Sequence, residues 1–289
     1  MENCIKNYYL LFFYSLLSIA SCESQQQHYP GPSGYDFDNP TWYNMPVVLH
    51  ELSGIAFNKG ISDTVYAEQD EEGKVFHFKL GNGQIQTTRF GKKGDFEDIS
   101  ICHDFVIMLR SDGVLFTFPF SETHKRDAEH VKVFEGLLPE GEYEGLASND
   151  SSGKVFVLCK HCRNEKTSKW GGGSIFQLTN TGDLITDGNF EINIKQIEAI
   201  EGIHKIDFHP SALCFNAWTR EWYILSSVNR LMVITDPDWK VKAVYPLNPS
   251  VFPQPEGIAL DGQRNLYISN ERNQAPAATI LVFKYHRKQ

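Results

Sequence analysis

Glu51 to Phe57 reads ELSGIAF, and the same phrase returns four times: DFEDISI from Asp95, EYEGLAS from Glu142, HPSALCF from His209 and QPEGIAL from Gln254. Aligned, the copies put Ser53, Glu97, Glu144, Ser211 and Glu256 at one position, separated by 44, 47, 67 and 45 residues. Each copy leads into a second segment rich in β-branched and aromatic residues, namely VYAEQD from Val65, FVIMLR from Phe105, VFVLCK from Val155, WYILSS from Trp222 and LYISNE from Leu266. Such segments fit half-buried strands. A third strand follows each after a short turn: KVFHF, VLFTF, SIFQL, RLMVI and TILVF. Turn signals such as Glu72-Gly73, Asp112-Gly113 and Ser152-Gly153 separate them.

A fourth, outer strand is expected at IQTTRF from Ile85, VKVF from Val131, a stretch near Asn189 to Ile194, and VKAVYPL from Val241. The fifth unit ends at TILVFKYHRKQ without one, while the stretch from Tyr35 to Val48 belongs to no unit. The two deficits match, because an N-terminal strand can complete the last unit and remove the exposed edges. A four-stranded repeat of about 45 residues implies an all-β chain folded as a single β-propeller. Five four-stranded blades are expected, closed into a ring by the N-terminal strand. The 67-residue interval leaves room for a degenerate sixth, but RNEKTSKWGGG after Cys162 reads as an inserted loop. A two-sheet sandwich would not explain one phrase returning five times in phase.

The first strand of a propeller blade lines the central channel, so the aligned residues Ser53, Glu97, Glu144, Ser211 and Glu256 should form a ring. Residues two earlier share a strand face and give a second layer: Glu51, Asp95, Glu142, His209 and Gln254. The ends of the second strands, counted in phase, give a channel rim of Asp70, Arg110, Lys160, Ser227 and Glu271. Three carboxylates in one narrow ring raise each other's pKa unless a cation sits among them. Carboxylate and hydroxyl oxygens suit Ca²⁺ or Mg²⁺, while the scarcity of His and Cys disfavours zinc or copper. The plainer reading is that the glutamates accept hydrogen bonds that tie blades together. Direct acid/base catalysis has the least support, since no G-x-S-x-G or H-E-x-x-H pattern occurs.

Lys and Arg number 27 against 36 Asp and Glu, a formal net charge of −9, which excludes a basic nucleic-acid-binding surface. Residues 1–21 read as a signal peptide: Lys6 precedes an apolar run from Tyr8 to Ala20, too short to span a bilayer comfortably. Ile19, Ala20, Ser21 and Cys22 resemble the lipobox of bacterial lipoproteins, so Cys22 is expected to be lipidated. Residues 22–34, polar and Pro/Gly-rich, read as a tether, and residues 35–289 as the propeller domain. Glu23 hints at transport beyond the inner membrane, so the expected place is the bacterial cell envelope, lipid-anchored, at the outer membrane. The cysteines give no disulfide framework. Cys159 and Cys162, in CKHC, are read as ordinary strand-edge residues, with a local disulfide or metal role as the alternative.

FEDI at Phe96, YEGLAS at Tyr143, PSALCFN at Pro210, QPEGIALD at Gln254 and LYISNE at Leu266 resemble the SdiA-regulated family of bacterial envelope proteins. More distantly, they are similar to NHL-repeat, gluconolactonase-like and phytase-like propellers. The resemblance spans about Glu51 to Phe283. It implies a five-bladed propeller with a calcium site at the motif glutamates, whose ligand candidates here are Glu97, Glu144 and Glu256, with Ser211 nearby. Ser53 is the poorest match, and His209-Pro210 replace an acidic residue before the fourth copy.

Two functions follow as expectations. The first is a lipid-anchored, Ca²⁺-binding propeller that binds a small molecule, glycan or protein, or acts as a scaffold, with aromatics such as Trp170 and Tyr143 gripping the ligand. The second is a metal-dependent hydrolase of lactones or phosphoesters, using the Glu142/Glu144 and Asp95/Glu97 pairs to activate water.

Overall fold

In the computed structural model the described residues are 28–162 and 170–287. The expected signal peptide and lipidated Cys22 lie outside them. From a short strand, β1 (Thr41–Asn44), the chain passes into four consecutive antiparallel meanders. The first holds β2 (Leu52–Asn58), β3 (Ile61–Gln69), β4 (Lys74–Phe78) and β5 (Ile85–Arg89). The second holds β6 (Phe96–Cys102), β7 (Phe105–Arg110), β8 (Leu115–Pro119) and β9 (Lys132–Phe134). The third holds β10 (Gly141–Asn149), β11 (Lys154–Cys162), β12 (Trp170–Leu178) and β13 (Leu184–Asn193). The fourth holds β14 (Ala212–Asn216), β15 (Glu221–Ser226), β16 (Leu231–Thr235) and β17 (Val241–Pro246). The last blade holds β18 (Pro255–Leu260), β19 (Leu266–Asn270) and β20 (Thr279–Phe283), and β1 pairs antiparallel with β20 as its outer strand. The protein is thus a five-bladed β-propeller, closed by its N-terminal strand.

Among the described residues no sixth blade fills the long interval. Its extra length goes into the longer strands of the third blade and a helix, α1 (Ile194–Glu201). Trp170 to Gly173, expected in a loop, begin β12, while residues 163–169 lie outside the description. The strand expected near Asn189 to Ile194 ends at Asn193, whose side chain accepts a hydrogen bond from the Lys195 amide and caps α1.

Apolar side chains pack between blades rather than in one central core. Five clusters occupy the five gaps, one for each pair of neighbours. Tyr35 and Phe37 enter the gap between the fourth and fifth blades, where Phe37 packs against Phe252 and Phe283. The aliphatic residue of every motif copy, Ile55, Ile99, Leu146, Leu213 and Ile258, is buried.

The small residue of the motif has a steric cause. Inner strands approach so closely that a Cβ on Gly54 would lie 2.7 Å from both the Cα and the Ile99 amide side of Asp98–Ile99 on the next blade. Gly54→Ala is therefore expected to cost about 1–3 kcal/mol, read by urea denaturation. Gly83→Ala, where a Cβ would meet nothing within 4 Å, should leave the midpoint unchanged.

Candidate functional site: a carboxylate basin at one end of the channel

The motif glutamates stand where the strand ladder breaks. The β6–β7 register passes from Phe96↔Arg110 to Asp98↔Leu109, leaving Glu97 as an extra residue. Glu144 is skipped in the same way between Tyr143 and Gly145, and Glu256 between Pro255 and Gly257. A β-bulge leaves its extra residue unpaired and re-aims its side chain. The pairing of β2 with β3 also skips Ser53 and Gly54, whereas β14 pairs with β15 without a shift.

The tying of blades falls largely to neighbours of these glutamates. Asp98 accepts from the Leu146 amide on the next blade at 2.7 Å and from its neighbour Ile99 at 2.8 Å. Ser211 donates to the Pro255 carbonyl at 2.9 Å, and Ser269 to the Ser53 carbonyl at 2.6 Å. Among the described residues no hydrogen-bond donor is seated on Glu97. Ser211 thus spends its hydroxyl proton on a blade-to-blade bond.

Crowding shows in the protonation of the group. Burial pushes the Glu97 carboxyl up to about 9, helped by Glu144, Asp95 and Glu256 and opposed by Lys160. Burial, then Glu144, lifts Glu256 to about 7, although Gln254 and Ser227 bond to it. Burial raises Glu271 to about 8, with a hydrogen bond to Glu51 and the charge of Glu256 adding to it. Asp70 reaches about 6 through burial and the charges of Glu51, Glu71 and Asp95. Glu144 also rises through burial, although Lys160 bonds to it and pulls the other way. For Glu142, burial is outweighed by His161 and Lys160, and its carboxyl sits below the usual range.

The second layer contacts the strand ends beside it. Asp95 accepts from the Ser111 hydroxyl at 2.6 Å, Glu142 meets His161 Nδ1 at 2.7 Å, and Gln254 donates to Glu271. Asp70 donates its amide to the Glu51 carbonyl. His209 faces Asp207 at 3.2 Å, and its ring centroid lies 4.4 Å from that of His161. In the second and third blades the residues opposite the second layer are Ser111 and His161, one place beyond Arg110 and Lys160. Lys160 still enters the basin, through a bulge of its own. Arg110 does not join the group: Asp112 holds its guanidinium with two hydrogen bonds of 2.8 Å each.

Glu68 was not legible as a site residue, because it sits in a strand where the other blades carry Met108, Leu158, Leu225 and Ser269. It is fully buried and accepts from the Gly54 amide at 2.6 Å, and burial drives its carboxyl well above the usual range. Glu68 Oε2 and Asp70 Oδ1 are buried polar atoms without a partner.

Two readings are corrected. Cys159 and Cys162 are not plain strand-edge residues but a disulfide. Tyr143 does not grip a ligand: it is buried between blades and donates its hydroxyl to the Pro139 carbonyl at 2.8 Å. The side chain of Trp170 lies outside the description. At the far end of the channel the lining turns small and nearly neutral, with Ala56, Ser100, Ala147, Cys214 and Ala259 around a cavity of about 130 Å³.

Closed ring, bulged glutamates and acidic mouth define a five-bladed β-propeller with a carboxylate-lined channel. The SdiA-regulated family model matches residues 41–275, and the chain belongs to that family. Among curated proteins none matches it in sequence. Solved structures repeat the fold. The glutaminyl cyclase of Myxococcus xanthus is 14% identical, with 86% of this chain and 96% of that one covered at a TM-score of 0.56. A luciferin-regenerating enzyme is 7% identical, with 85% and 95% covered at a TM-score of 0.51. At such identities the likeness concerns architecture only.

Proposed function

We propose that this protein is a lipid-anchored envelope propeller that binds Ca²⁺ in the carboxylate basin and presents the channel mouth to a small-molecule, glycan or protein ligand. The observation that carries the reading is the set of bulged glutamates, Glu97, Glu144 and Glu256, crowded together with, among the described residues, one lysine beside them. The donor set fits a hard cation: all carboxylate oxygens, with buried orphan oxygens on Glu68 and Asp70 beside it. Three ligand atoms within 4.8 Å of one another occur elsewhere among the described residues, at Cys102, His103 and Asp150 and at Glu122, Glu129 and His130. The basin carboxylates therefore have to draw inward on loading. Glu97, Glu144 and Glu256 would hold the ion, with Ser211 nearby and Asp70 and Glu68 in reserve. The bound ion would supply a positive centre joining the second, third and fifth blades. Acylation of Cys22 would hold the domain at the outer membrane through residues 22–34.

Calorimetric titration of Ca²⁺ into the chelator-stripped chain tests the site. One binding event is expected, lost in Glu97→Gln with Glu144→Gln; an absence of heat in the unaltered protein would overturn the reading. Radiolabelled palmitate should enter the protein in its bacterial host and be lost with Cys22→Ser.

A hydrolase reading draws on one observation, the Glu256 carboxyl near 7, where a group can both take and give a proton. Turnover of a lactone or phosphoester panel, abolished by Glu256→Gln with the fold retained, would favour it over pure binding.

A further inference from the structure

The geometry points to the Cys159–Cys162 disulfide as a redox clasp, which sets the charge of the carboxylate basin by holding Lys160 inside it. This inference rests on the cation-binding reading and concerns the regulation of that site.

The clasp encloses two residues, Lys160 and His161, and both reach the basin. Lys160 Nζ pairs with Glu144 and lies 3.3 Å from Glu142 Oε1, while His161 Nδ1 lies 2.7 Å from Glu142 Oε2. Among the described residues Lys160 is the one lysine or arginine whose ion pairs are with the ring and second-layer carboxylates. Arg110 is bound by Asp112, and the other strand ends offer Asp70, Ser227 and Glu271.

Lys160 arrives there because its strand is contracted. Pairing runs from Glu142↔His161 to Tyr143↔Cys159, so Lys160 has no partner across the ladder. The Cα atoms of Cys159 and Cys162 are 6.1 Å apart, whereas three steps of regular strand span roughly 10 Å. A covalent bond that shortens the strand by this much extrudes the residues it encloses. The corresponding second strands of the second and fifth blades pair through without an extra residue, and neither carries such a clasp. The bulge of Lys160 therefore faces the bulge of Glu144, and the protein brings its own cation to the acidic ring.

Opening the clasp takes a dithiol reductant. A thiolate of the reductant attacks Sγ of Cys162, which is only half buried, and forms a mixed disulfide as the S–S bond breaks and Cys159 leaves as a thiolate. The second thiol of the reductant then displaces Cys162. Two electrons and two protons end on the two cysteines, and the reductant leaves as its own disulfide. The freed segment extends, Lys160 withdraws, and the basin loses its internal counter-charge, leaving that place to a metal ion.

Two readouts on the full chain test this, each in the oxidised and the dithiothreitol-treated protein. The first is acylation of Lys160 by an amine-reactive ester, followed by peptide mass spectrometry. The ammonium should be protected when the clasp is closed and labelled several-fold faster when it is open. The second is Ca²⁺ titration, in which reduction should tighten binding on the order of tenfold, as expected for removing one partly screened positive charge. Lys160→Gln should bind as tightly when oxidised as the parent does when reduced, and should lose the redox response. Cys159→Ser with Cys162→Ser should behave as the reduced form, with far-ultraviolet circular dichroism to confirm the fold. Unchanged Lys160 labelling on reduction would overturn the clasp whether or not Ca²⁺ binds. Faster labelling with no Ca²⁺ binding in any form would keep the clasp and remove the calcium reading.

Discussion

Chelation of Ca²⁺ is expected to lower the Tm of this protein by roughly 5–10 °C. The size follows from linkage: an ion held only by the folded state adds about 2.7 kcal/mol at a hundredfold excess over its Kd, and a domain of this size shifts by about 2–4 °C for each kcal/mol. The effect should be this large because the ion would join three blades that the apolar clusters join only in pairs. Replacing Glu97, Glu144 and Glu256 together by Gln should abolish the difference between Ca²⁺ and chelator. It should also raise the Tm measured in chelator, since mutual repulsion and the burial of charge are removed together. Scanning calorimetry of both proteins in both conditions decides it. Equal melting with and without Ca²⁺ in the parent would leave the bulged glutamates with no cation to answer to.

The architecture was legible because the repeat is carried by packing. The aliphatic residue of each motif must fill a gap between blades, and the residue before it, glycine in three copies, must let the inner strands approach. Both demands recur once per blade and so recur in the sequence. The closure by β1 was legible from a strand deficit at one end and a surplus at the other. The ring position was legible for the same reason, but its form was not. Glu97, Glu144 and Glu256 were found by alignment, whereas the bulges that present them depend on cross-strand register.

Where the sequence reading slipped, register is again the cause. Counting along β7 in phase led to Arg110, yet the residue opposite Asp95 is Ser111. Counting along β11 led to Lys160, which reaches the basin only because the clasp extrudes it. Glu68 gave no signal at all, since a glutamate inside VYAEQD looks like a solvent-facing strand residue. Its burial is a tertiary fact, created when the second blade closes over the first.

The pH dependence of stability should change sign with the ion. In the metal-free protein Asp70, Glu256, Glu271 and Glu97 have carboxyls raised to about 6, 7, 8 and 9. In the unfolded chain such groups ionise near 4. Between those limits the folded state holds protons that the unfolded state has released, so stability falls as pH rises. The contribution is complete below about pH 4, falls most steeply between about 4 and 6, where all four groups hold protons that the unfolded chain has lost, and then more gently until it is exhausted above about 9. Melting in chelator should therefore be higher at pH 5 than at pH 9. With Ca²⁺ the order reverses, because the ion needs ionised carboxylates and displaces those protons. Titrations at pH 7 in buffers of different ionisation enthalpy should show protons released as Ca²⁺ binds, and fewer released at pH 9. A flat melting profile in chelator across this range would mean that the carboxylates are solvated and independent. The same flat profile would remove the crowding on which the cation reading stands.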